Sequence, residues 1–177
     1  DMPGMADVDT SMLGFCKKIS QNGFKVCLSG ECSDEIFGGY PWFYRTHLVN
    51  HTEGFPWALS ENLRSNLLKK DLLKENELFE HIKSRRKDIL KNVTYLENEN
   101  DYEIRYRNIN YLTVKYFMTT LLERTDRMSM ASSLEVRVPF ADHRIFEYVY
   151  NLPASLKLGL THNNEPMEKY ILRKAFE

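Results

Sequence analysis

The chain contains 177 residues, of which 42% are hydrophobic and 12% are aromatic, and its formal net charge at pH 7 is −1. This ordinary composition excludes a disordered or fibrous protein. The 24 basic and 25 acidic residues leave no basic field that could hold nucleic acid, and no apolar run is long enough to span a membrane. The three cysteines lack C-x-x-C spacing, which argues against a disulfide framework or a zinc site and favours a reducing, cytoplasmic location.

The first predicted elements are a helix and a short buried strand. The helix begins near Asp9 or Thr10, and Gly23 ends it. Its apolar residues fall on one face at helical spacing: Met12, Leu13, Cys16 and Ile19. The apolar run at residues 24–28 then predicts a buried strand, in which Cys27 is a small core residue.

A turn rich in glycine and acidic residues follows this strand. Its notable residues are, in order, Ser29, Gly30, Glu31, Asp34, Glu35, Gly38 and Gly39. In open α/β sheets, a strand that leads into a glycine turn and a helix commonly places backbone amides against nucleotide phosphates. Three carboxylates would repel a bare phosphate, so the pattern favours a magnesium ion between the acids and the phosphate groups. The alternative is that Asp34 and Glu35 only stabilise the N-terminus of a helix.

The remainder of the chain is predicted to be mostly helical. Helical spacing or capping residues mark helices that include residues 60–68, 79–96, 104–116, 143–151 and 166–177. Residues 136–138 form a second, weaker extended piece, which Pro139 ends. Because a single strand cannot form a sheet, we expect the neighbours of the first strand to come from a preceding segment of a longer protein or from another molecule.

Charged residues beside the second extended piece are expected to be structural. Glu135 and Arg137 alternate with valines and would face one side, where they could form ion pairs with Arg124, Asp126 or Arg127. Substrate contact is the alternative for this pair.

Three long segments resemble the synthetase domain of glutamine-dependent asparagine synthetases. LSGECSDEIFGGY, residues 28–40, resembles the family signature LSGEGADELFGGY. LLERTDRMSMASSLEVRVPFADHR, residues 121–144, is similar to the family stretch R-x-D-R-x-S-M-x-x-S-L-E-V-R-V-P-F-L-D-H. MEKYILRKAFE, residues 167–177, resembles the segment K-Y-x-L-R-x-A. The segments occur in the family's order and mix residue types, so they are more specific than a glycine pattern alone.

The resemblance implies a fold class and a domain assignment. The chain is expected to be mostly α, with one or two short strands, and to form part of an α/β doubly wound parallel-sheet domain of the adenine nucleotide alpha hydrolase-like kind. Residues 1–177 would be one partial domain, without the upstream pyrophosphate loop Ser-Gly-Gly-x-Asp-Ser and without the amino-terminal glutaminase domain. We therefore expect the 177-residue chain alone to form no asparagine.

The resemblance also implies an activity and its residues. The family converts aspartate to asparagine through an aspartyl-adenylate, with ATP, Mg²⁺ and ammonia released from glutamine. The implied roles are nucleotide binding for Ser29, Gly30 and Glu31, magnesium binding for Asp34, and catalysis for Glu31 and Lys169. Glu31 would lie near the acyl-adenylate and the arriving ammonia, whereas Lys169 would neutralise charge on the phosphate and the reacting carboxyl. From periodicity alone, Lys169 would be an exposed helical lysine.

Two other functions stay open from the sequence. A β-lactam synthetase has a related site but forms an intramolecular amide. A catalytically silent helical module would contribute only packing or a dimer surface, and an unpaired strand edge makes a homodimer plausible.

Overall fold

The computed structural model describes residues 8–58 and 77–177, so the helix predicted at residues 60–68 lies outside the described part. Helices dominate what is described. They are α1 (Asp9–Gln21), α2 (Ser33–Phe37), α3 (Thr46–Val49), α4 (Glu77–Leu90), α5 (Asp101–Leu112), α6 (Thr119–Met130), α7 (His143–Tyr150), α8 (Ala154–Lys157) and α9 (Tyr170–Lys174), with a π-helical turn at Thr113–Met118 and 3₁₀ turns at Pro41–Phe43 and Pro139–Ala141. The predicted, mostly helical content is confirmed for these residues.

Short strands form two separate pairs. β1 (Val26–Leu28) and β2 (Glu135–Arg137) are parallel, with Cys27 opposite Val136. β3 (Gly159–Leu160) and β4 (Pro166–Met167) are antiparallel. The expectation that β1 could pair only with a preceding segment or another molecule was therefore wrong, because β2 of the same chain pairs with it. The second pair was not predicted, since strands of two residues leave no alternating pattern to recognise.

β1 is exposed, and the prediction of a buried strand was wrong for the described structure. Phe24, Val26 and Leu28 are 61%, 41% and 74% exposed, while Cys27 is half-buried. Alternate side chains of a strand point to opposite faces. Helix α6 packs on β2 and also on α1. Within residues 8–58 and 77–177, therefore, the face of the strand pair that carries Val26 and Leu28 remains uncovered.

A long helical stretch carries residues toward the turn after β1. Helix α5 begins at a capping box, in which Asn100 accepts hydrogen bonds from the backbone of Tyr102 and Glu103 while the Glu103 carboxylate accepts one from the Asn100 amide. The π-helical turn joins α5 to α6 without a break, so the predicted helix at residues 104–116 continues to Met130. The Asn110 side chain donates a hydrogen bond of 2.9 Å to the Glu35 carbonyl, which joins this stretch to α2.

Helix α2 is short but central to the packing. Cys32, Ile36 and Phe37 form a core cluster with Val149 of α7, and Ile171 and Leu172 of α9 pack against it. A second cluster joins Phe43, Val49, Tyr106, Ile109 and Ala154. Because α9 packs on α2, the C-terminal segment lies beside the acidic turn.

The last helix begins later than the sequence suggested. Pro166 lies in β4 and not in the first turn of a helix, and α9 starts at Tyr170. Thr161 holds the connecting turn, because its hydroxyl accepts hydrogen bonds from the amides of Asn163 and Glu165. Lys169 is consequently not a helical residue. It immediately precedes α9 with φ 54° and ψ 36°, in the left-handed region.

No helix within the described ranges has the length and apolar character required to cross a bilayer.

Candidate active site

The turn after β1 is ordered by its own backbone. The Ser29 amide donates to the Arg137 carbonyl at 2.9 Å and so continues the β1–β2 ladder by one residue. The Glu31 amide then donates to the Ser29 hydroxyl at 3.2 Å. Cys32 adopts φ 72°, and α2 begins at the next residue. The left-handed residue reverses the chain so that the acids which follow lie at the carboxyl ends of both strands.

Two glycines allow close packing at the end of α2. Gly38 adopts φ 76° and ends α2, and a Cβ at this position would collide with the hydroxyl of the buried Tyr106. A Cβ on Gly39 would collide with the Asp34 carboxylate. Gly38 lies in the turn that ends α2, as the sequence predicted, and Gly39 follows it. Gly30 differs, because a Cβ there would meet no atom within 4 Å, which leaves open space beside its backbone.

Asp34 and Lys169 are in contact, although they come from opposite ends of the chain. Lys169 Nζ lies 2.8 Å from Asp34 Oδ1, and the two side chains are 23% and 36% exposed. The Ser33 hydroxyl donates a long hydrogen bond of 3.4 Å to Asp34 Oδ2. The residues that the sequence assigned separately to a metal and to catalysis therefore share one partly open location.

Glu31 is held asymmetrically. Its Oε1 accepts a hydrogen bond of 2.7 Å from the Thr125 hydroxyl and lies 3.5 Å from Arg124 Nη2. Its Oε2 is buried and makes no hydrogen bond to a described residue. Sequence reasoning missed Thr125 altogether. It assigned Arg124 to the neighbourhood of Glu135 and Arg137, whereas the guanidinium faces Glu31.

The family of this chain follows from its match to a sequence model of a protein family. The model, described as asparagine synthase, matches residues 1–177. The chain belongs to the asparagine synthase family.

Two bacterial relatives agree with this assignment, and a fungal protein is similar to part of the chain. The chain is 49% identical over 177 residues to asparagine synthetase [glutamine-hydrolyzing] 3 of Bacillus subtilis, which covers 100% of this chain and 27% of that protein. It is 31% identical over 203 residues to asparagine synthetase [glutamine-hydrolyzing] 1 of the same organism, covering 98% and 31%. Amidase chyE of Penicillium rubens is 46% identical over 68 residues, covering 37% and 10%. The chain thus spans less than a third of the length of each of these relatives.

Cys32 occupies a position where the asparagine synthase signature often has glycine, and its conformation accounts for that preference. Glycine reaches a left-handed φ without steric cost, whereas Cys32 adopts φ 72° with a side chain only 2% exposed. Burial raises the pKa of the Cys32 thiol to about 12, and the nearby Glu35 and Glu31 carboxylates add to the rise. The thiol is therefore protonated at neutral pH and is not a nucleophile.

Glu35 is a buried structural group beside the family's acidic turn. It is 1% exposed, and its Oε1 accepts a hydrogen bond of 2.6 Å from the Tyr40 hydroxyl. The Tyr40 ring stacks on Trp42 with ring centroids 4.3 Å apart. Burial raises the pKa of the Glu35 carboxyl above its ordinary value of 4.5, while the hydrogen bond from Tyr40 acts in the opposite direction. This environment agrees with the interpretation of Glu35 as structural.

The raised pKa of Glu35 leads to a test of pH-dependent stability. The folded state binds the Glu35 proton more tightly than the unfolded state, so this residue's contribution to stability falls as pH rises from 4.5 through the higher folded pKa. We expect the difference in unfolding free energy between the wild type and Glu35→Gln to decrease as pH rises above about 4.5, by about 1.4 kcal/mol for each unit by which folding raises the pKa, and the difference in Tm to fall with it. The exposed Glu147 provides the control Glu147→Gln. A difference that rises with pH would contradict the buried, proton-retaining environment.

Glu135 and Arg137 form an ion pair with each other. Arg137 Nε lies 2.7 Å from Glu135 Oε1, and their side chains are 62% and 55% exposed. Arg124 was one of three partners expected for this pair, and it lies against Glu31 instead. An exposed pair of this kind contributes little to stability.

Metal ligands are sparse in the described structure. No three His, Cys, Asp or Glu side chains in residues 8–58 and 77–177 come together as a metal-binding group. Mg²⁺ commonly binds proteins through one or two carboxylates and takes its other ligands from substrate phosphates and water. Asp34, partly exposed and held by a single lysine, fits an ion that arrives with a nucleotide.

A cavity of about 180 Å³ lies elsewhere, between α5 and the segment after α7, and none of the predicted site residues lines it. Lys157 is buried there and donates to the carbonyls of Val149 and Tyr150 at the end of α7. Burial lowers its pKa to about 8, and the nearby Arg107 adds to the fall. Arg107 in turn pairs with Glu99 at 2.6 Å. These contacts identify Lys157 and Arg107 as structural residues that stabilise the end of α7.

Proposed function

We propose that this chain is the C-terminal part of the synthetase domain of a longer asparagine synthetase, which forms asparagine from aspartate, ATP and glutamine-derived ammonia. One observation carries the proposal. Lys169 and Asp34, which the family resemblance assigns to the same reaction, meet at 2.8 Å although they are far apart in sequence. Membership of the asparagine synthase family and the similarity to glutamine-hydrolysing asparagine synthetases over the whole chain support it.

The first step activates aspartate. A side-chain carboxylate oxygen of aspartate attacks the α-phosphorus of ATP, the bond from that phosphorus to the bridging oxygen breaks, and pyrophosphate leaves. Negative charge moves onto phosphate oxygens, so positioned positive charge and backbone amides accelerate the step. Lys169 supplies an ammonium group for this charge, and Ser29 and Gly30 supply backbone that the open space over Gly30 leaves accessible. Asp34 would hold Mg²⁺, which neutralises the pyrophosphate when it is bound.

The Asp34–Lys169 contact suits a site that would bind both a metal ion and a nucleotide. Each residue carries the charge that neutralises the other. With a nucleotide and Mg²⁺ bound, Asp34 would be the residue that holds the ion, and the Lys169 ammonium would face phosphate oxygens. Each of the two side chains would therefore have an opposite charge beside it before and after the nucleotide binds, so neither charge would be desolvated alone.

The second step forms the amide. Ammonia attacks the acyl carbon of the aspartyl-adenylate, the carbon–oxygen bond to the phosphate breaks, AMP leaves, and the nitrogen loses one proton. Glu31 lies in the turn with one carboxylate oxygen, Oε2, buried and unpaired. This oxygen accepts a hydrogen bond from the incoming amine and takes its proton.

The proposed function also explains why the β1–β2 pair is exposed. The parallel β1–β2 pair would be one edge of a doubly wound sheet, because ligands of such sheets bind at the carboxyl ends of the strands, where the acidic turn lies. The remaining strands, the pyrophosphate loop and the glutaminase domain would come from other segments of the longer protein. The exposed apolar residues Val26 and Leu28 support such a covering.

The test uses the intact protein that contains this chain. We expect it to release pyrophosphate and AMP in an aspartate-dependent reaction, and to form asparagine with either glutamine or ammonium as nitrogen donor. Mass spectrometry of the product distinguishes asparagine from a cyclised amide. Cleavage of ATP to ADP, or no aspartate-dependent turnover, would contradict the proposal.

A further inference from the structure

We infer that Thr125, supported by Arg124, is a positioning residue for amide formation. Thr125 holds Glu31 by one carboxylate oxygen and leaves the other for the nitrogen nucleophile. This inference rests on the proposed function and adds to it two residues that act through Glu31.

The first support is the hydrogen bond itself. The Thr125 hydroxyl donates to Glu31 Oε1 at 2.7 Å across 94 positions of the chain. Thr125 is 6% exposed, so water does not compete freely for this hydroxyl. Its other polar neighbour, Met12 Sδ, lies at 3.6 Å and is a weak acceptor. The single proton of the hydroxyl is therefore committed to Glu31.

The neighbouring threonines show that this bond is not the local default. A threonine inside a helix commonly donates to the carbonyl four residues earlier. Thr119 does so to Lys115 at 3.0 Å, and Thr120 does so to Tyr116 at 2.9 Å. Thr125 lies on α6 like both of them, yet it donates across to the turn after β1.

The second support is the state of the opposite oxygen. Glu31 Oε2 is buried and has no hydrogen-bond partner in the described structure. A buried carboxylate oxygen without a donor is costly, so such an atom in a native site points to a donor that arrives with a ligand. The donor with the right chemistry is a small N–H group such as ammonia, because Glu31 lies at the strand ends where the acyl-adenylate is proposed to form.

Arg124 attracts the Glu31 carboxylate by its charge and does little to fix the orientation of that carboxylate. Its Nη2 lies 3.5 Å from Glu31 Oε1, which is longer than a good charge-assisted hydrogen bond. The side chains of Arg124 and Glu31 are only 13% and 19% exposed, so the attraction is weakly screened. The guanidinium keeps the carboxylate on its side of the turn, and the hydroxyl fixes the rotation that presents Oε2.

Loss of the Thr125 hydroxyl should therefore slow the second step and spare the first. Without that donor, the two oxygens of Glu31 compete for Arg124, and the carboxylate no longer presents one oxygen to the amine. In the proposed first step this oxygen takes no proton, so we expect adenylation to be affected much less than amide formation. An adenylate that waits longer for ammonia is lost to water instead, so less asparagine forms for each pyrophosphate released.

The experiment measures that partition in the intact protein with ammonium as donor. The variants are Thr125→Val, which keeps the shape, Thr125→Ser, which keeps the hydroxyl, and the control Thr120→Val on the same helix. We expect Thr125→Val to lower the ratio of asparagine to pyrophosphate by roughly fivefold to tenfold, a modest misplacement effect, with pyrophosphate release changed by less than about twofold. Serine should restore the ratio, and Thr120→Val should leave it unchanged.

The ratio does not depend on how much protein is folded, which separates positioning from stability. Should Thr125→Val not accumulate, Thr125→Ala gives the same measurement without the bulk of a γ-methyl group. If the wild type makes asparagine and Thr125→Val has the same ratio of asparagine to pyrophosphate, the inference is overturned while the proposed function stands. Equal losses in pyrophosphate and asparagine would also overturn it and assign Thr125 a structural role. A wild type that forms no asparagine contradicts both proposals.

Discussion

Asp34→Asn in the intact protein is expected to abolish magnesium-dependent pyrophosphate release, with a loss on the order of 10²–10³-fold or more. The substitution keeps the shape of the side chain and removes its charge, and an amide oxygen is a poorer ligand for Mg²⁺ than a carboxylate. It also leaves Lys169 without its partner at 2.8 Å. The measurement is the initial rate of aspartate-dependent pyrophosphate release over a series of magnesium concentrations.

The control for Asp34→Asn is Asp88→Asn on α4. Asp88 also pairs with a lysine, Lys91, at 2.7 Å, but both partners are exposed and far from the turn in sequence. Since Asp34 and Lys169 are partly exposed, breaking their pair should change the free energy of unfolding by about 1 kcal/mol or less, and breaking the exposed control pair should leave the Tm unchanged. A lost rate with an unchanged Tm then identifies a functional carboxylate. Wild-type pyrophosphate release by Asp34→Asn would remove Asp34 from the metal site.

The local features of the turn could be predicted because they depend on nearby sequence. Gly38 ends α2 in a left-handed turn, as expected for a glycine at this position. These features need only a few adjacent residues. The parallel pairing of Cys27 with Val136 does not, and the sequence offered only a weak extended piece to suggest it.

Contacts between distant segments limited the prediction of the site. Thr125 carries no local signal, because its partner Glu31 is 94 positions away and nothing in the helix pattern distinguishes it from Thr120. The start of the last helix was missed for a related reason. Proline suits the first turn of a helix and also an edge strand, and the hydrogen bonds of the Thr161 turn decide in favour of β4.

The exposure of β1 has a different cause. Residues 24–28 have the apolar pattern of a buried strand, yet Leu28 is 74% exposed in the described structure. An apolar strand pattern reflects burial in the whole folded protein, which includes any segments beyond residues 8–58 and 77–177. The disagreement is therefore expected if other segments of a longer protein cover this face, as the proposed function requires.

Lys169→Met is expected to lower the rate of pyrophosphate release by about 10²–10³-fold, because the ammonium group facing the developing phosphate charge is lost. Methionine retains the long apolar stem and the Cβ. The control is Lys174→Met on α9, whose lysine pairs with the exposed Glu177 at the end of the chain. Equal rates for Lys169→Met and the wild type would exclude Lys169 from the reaction.

Lys169→Gly separates function from stability at the same position. Lys169 adopts φ 54°, a conformation that costs a residue with a Cβ about 1–2 kcal/mol and glycine almost nothing. The partly exposed pair with Asp34 returns about 1 kcal/mol or less. Lys169→Gly should therefore match or exceed the wild type in Tm while losing activity like Lys169→Met. A strained lysine whose removal stabilises an inactive protein is held there for its charge. A clear fall in Tm would instead make the Asp34–Lys169 pair a structural link between α2 and α9.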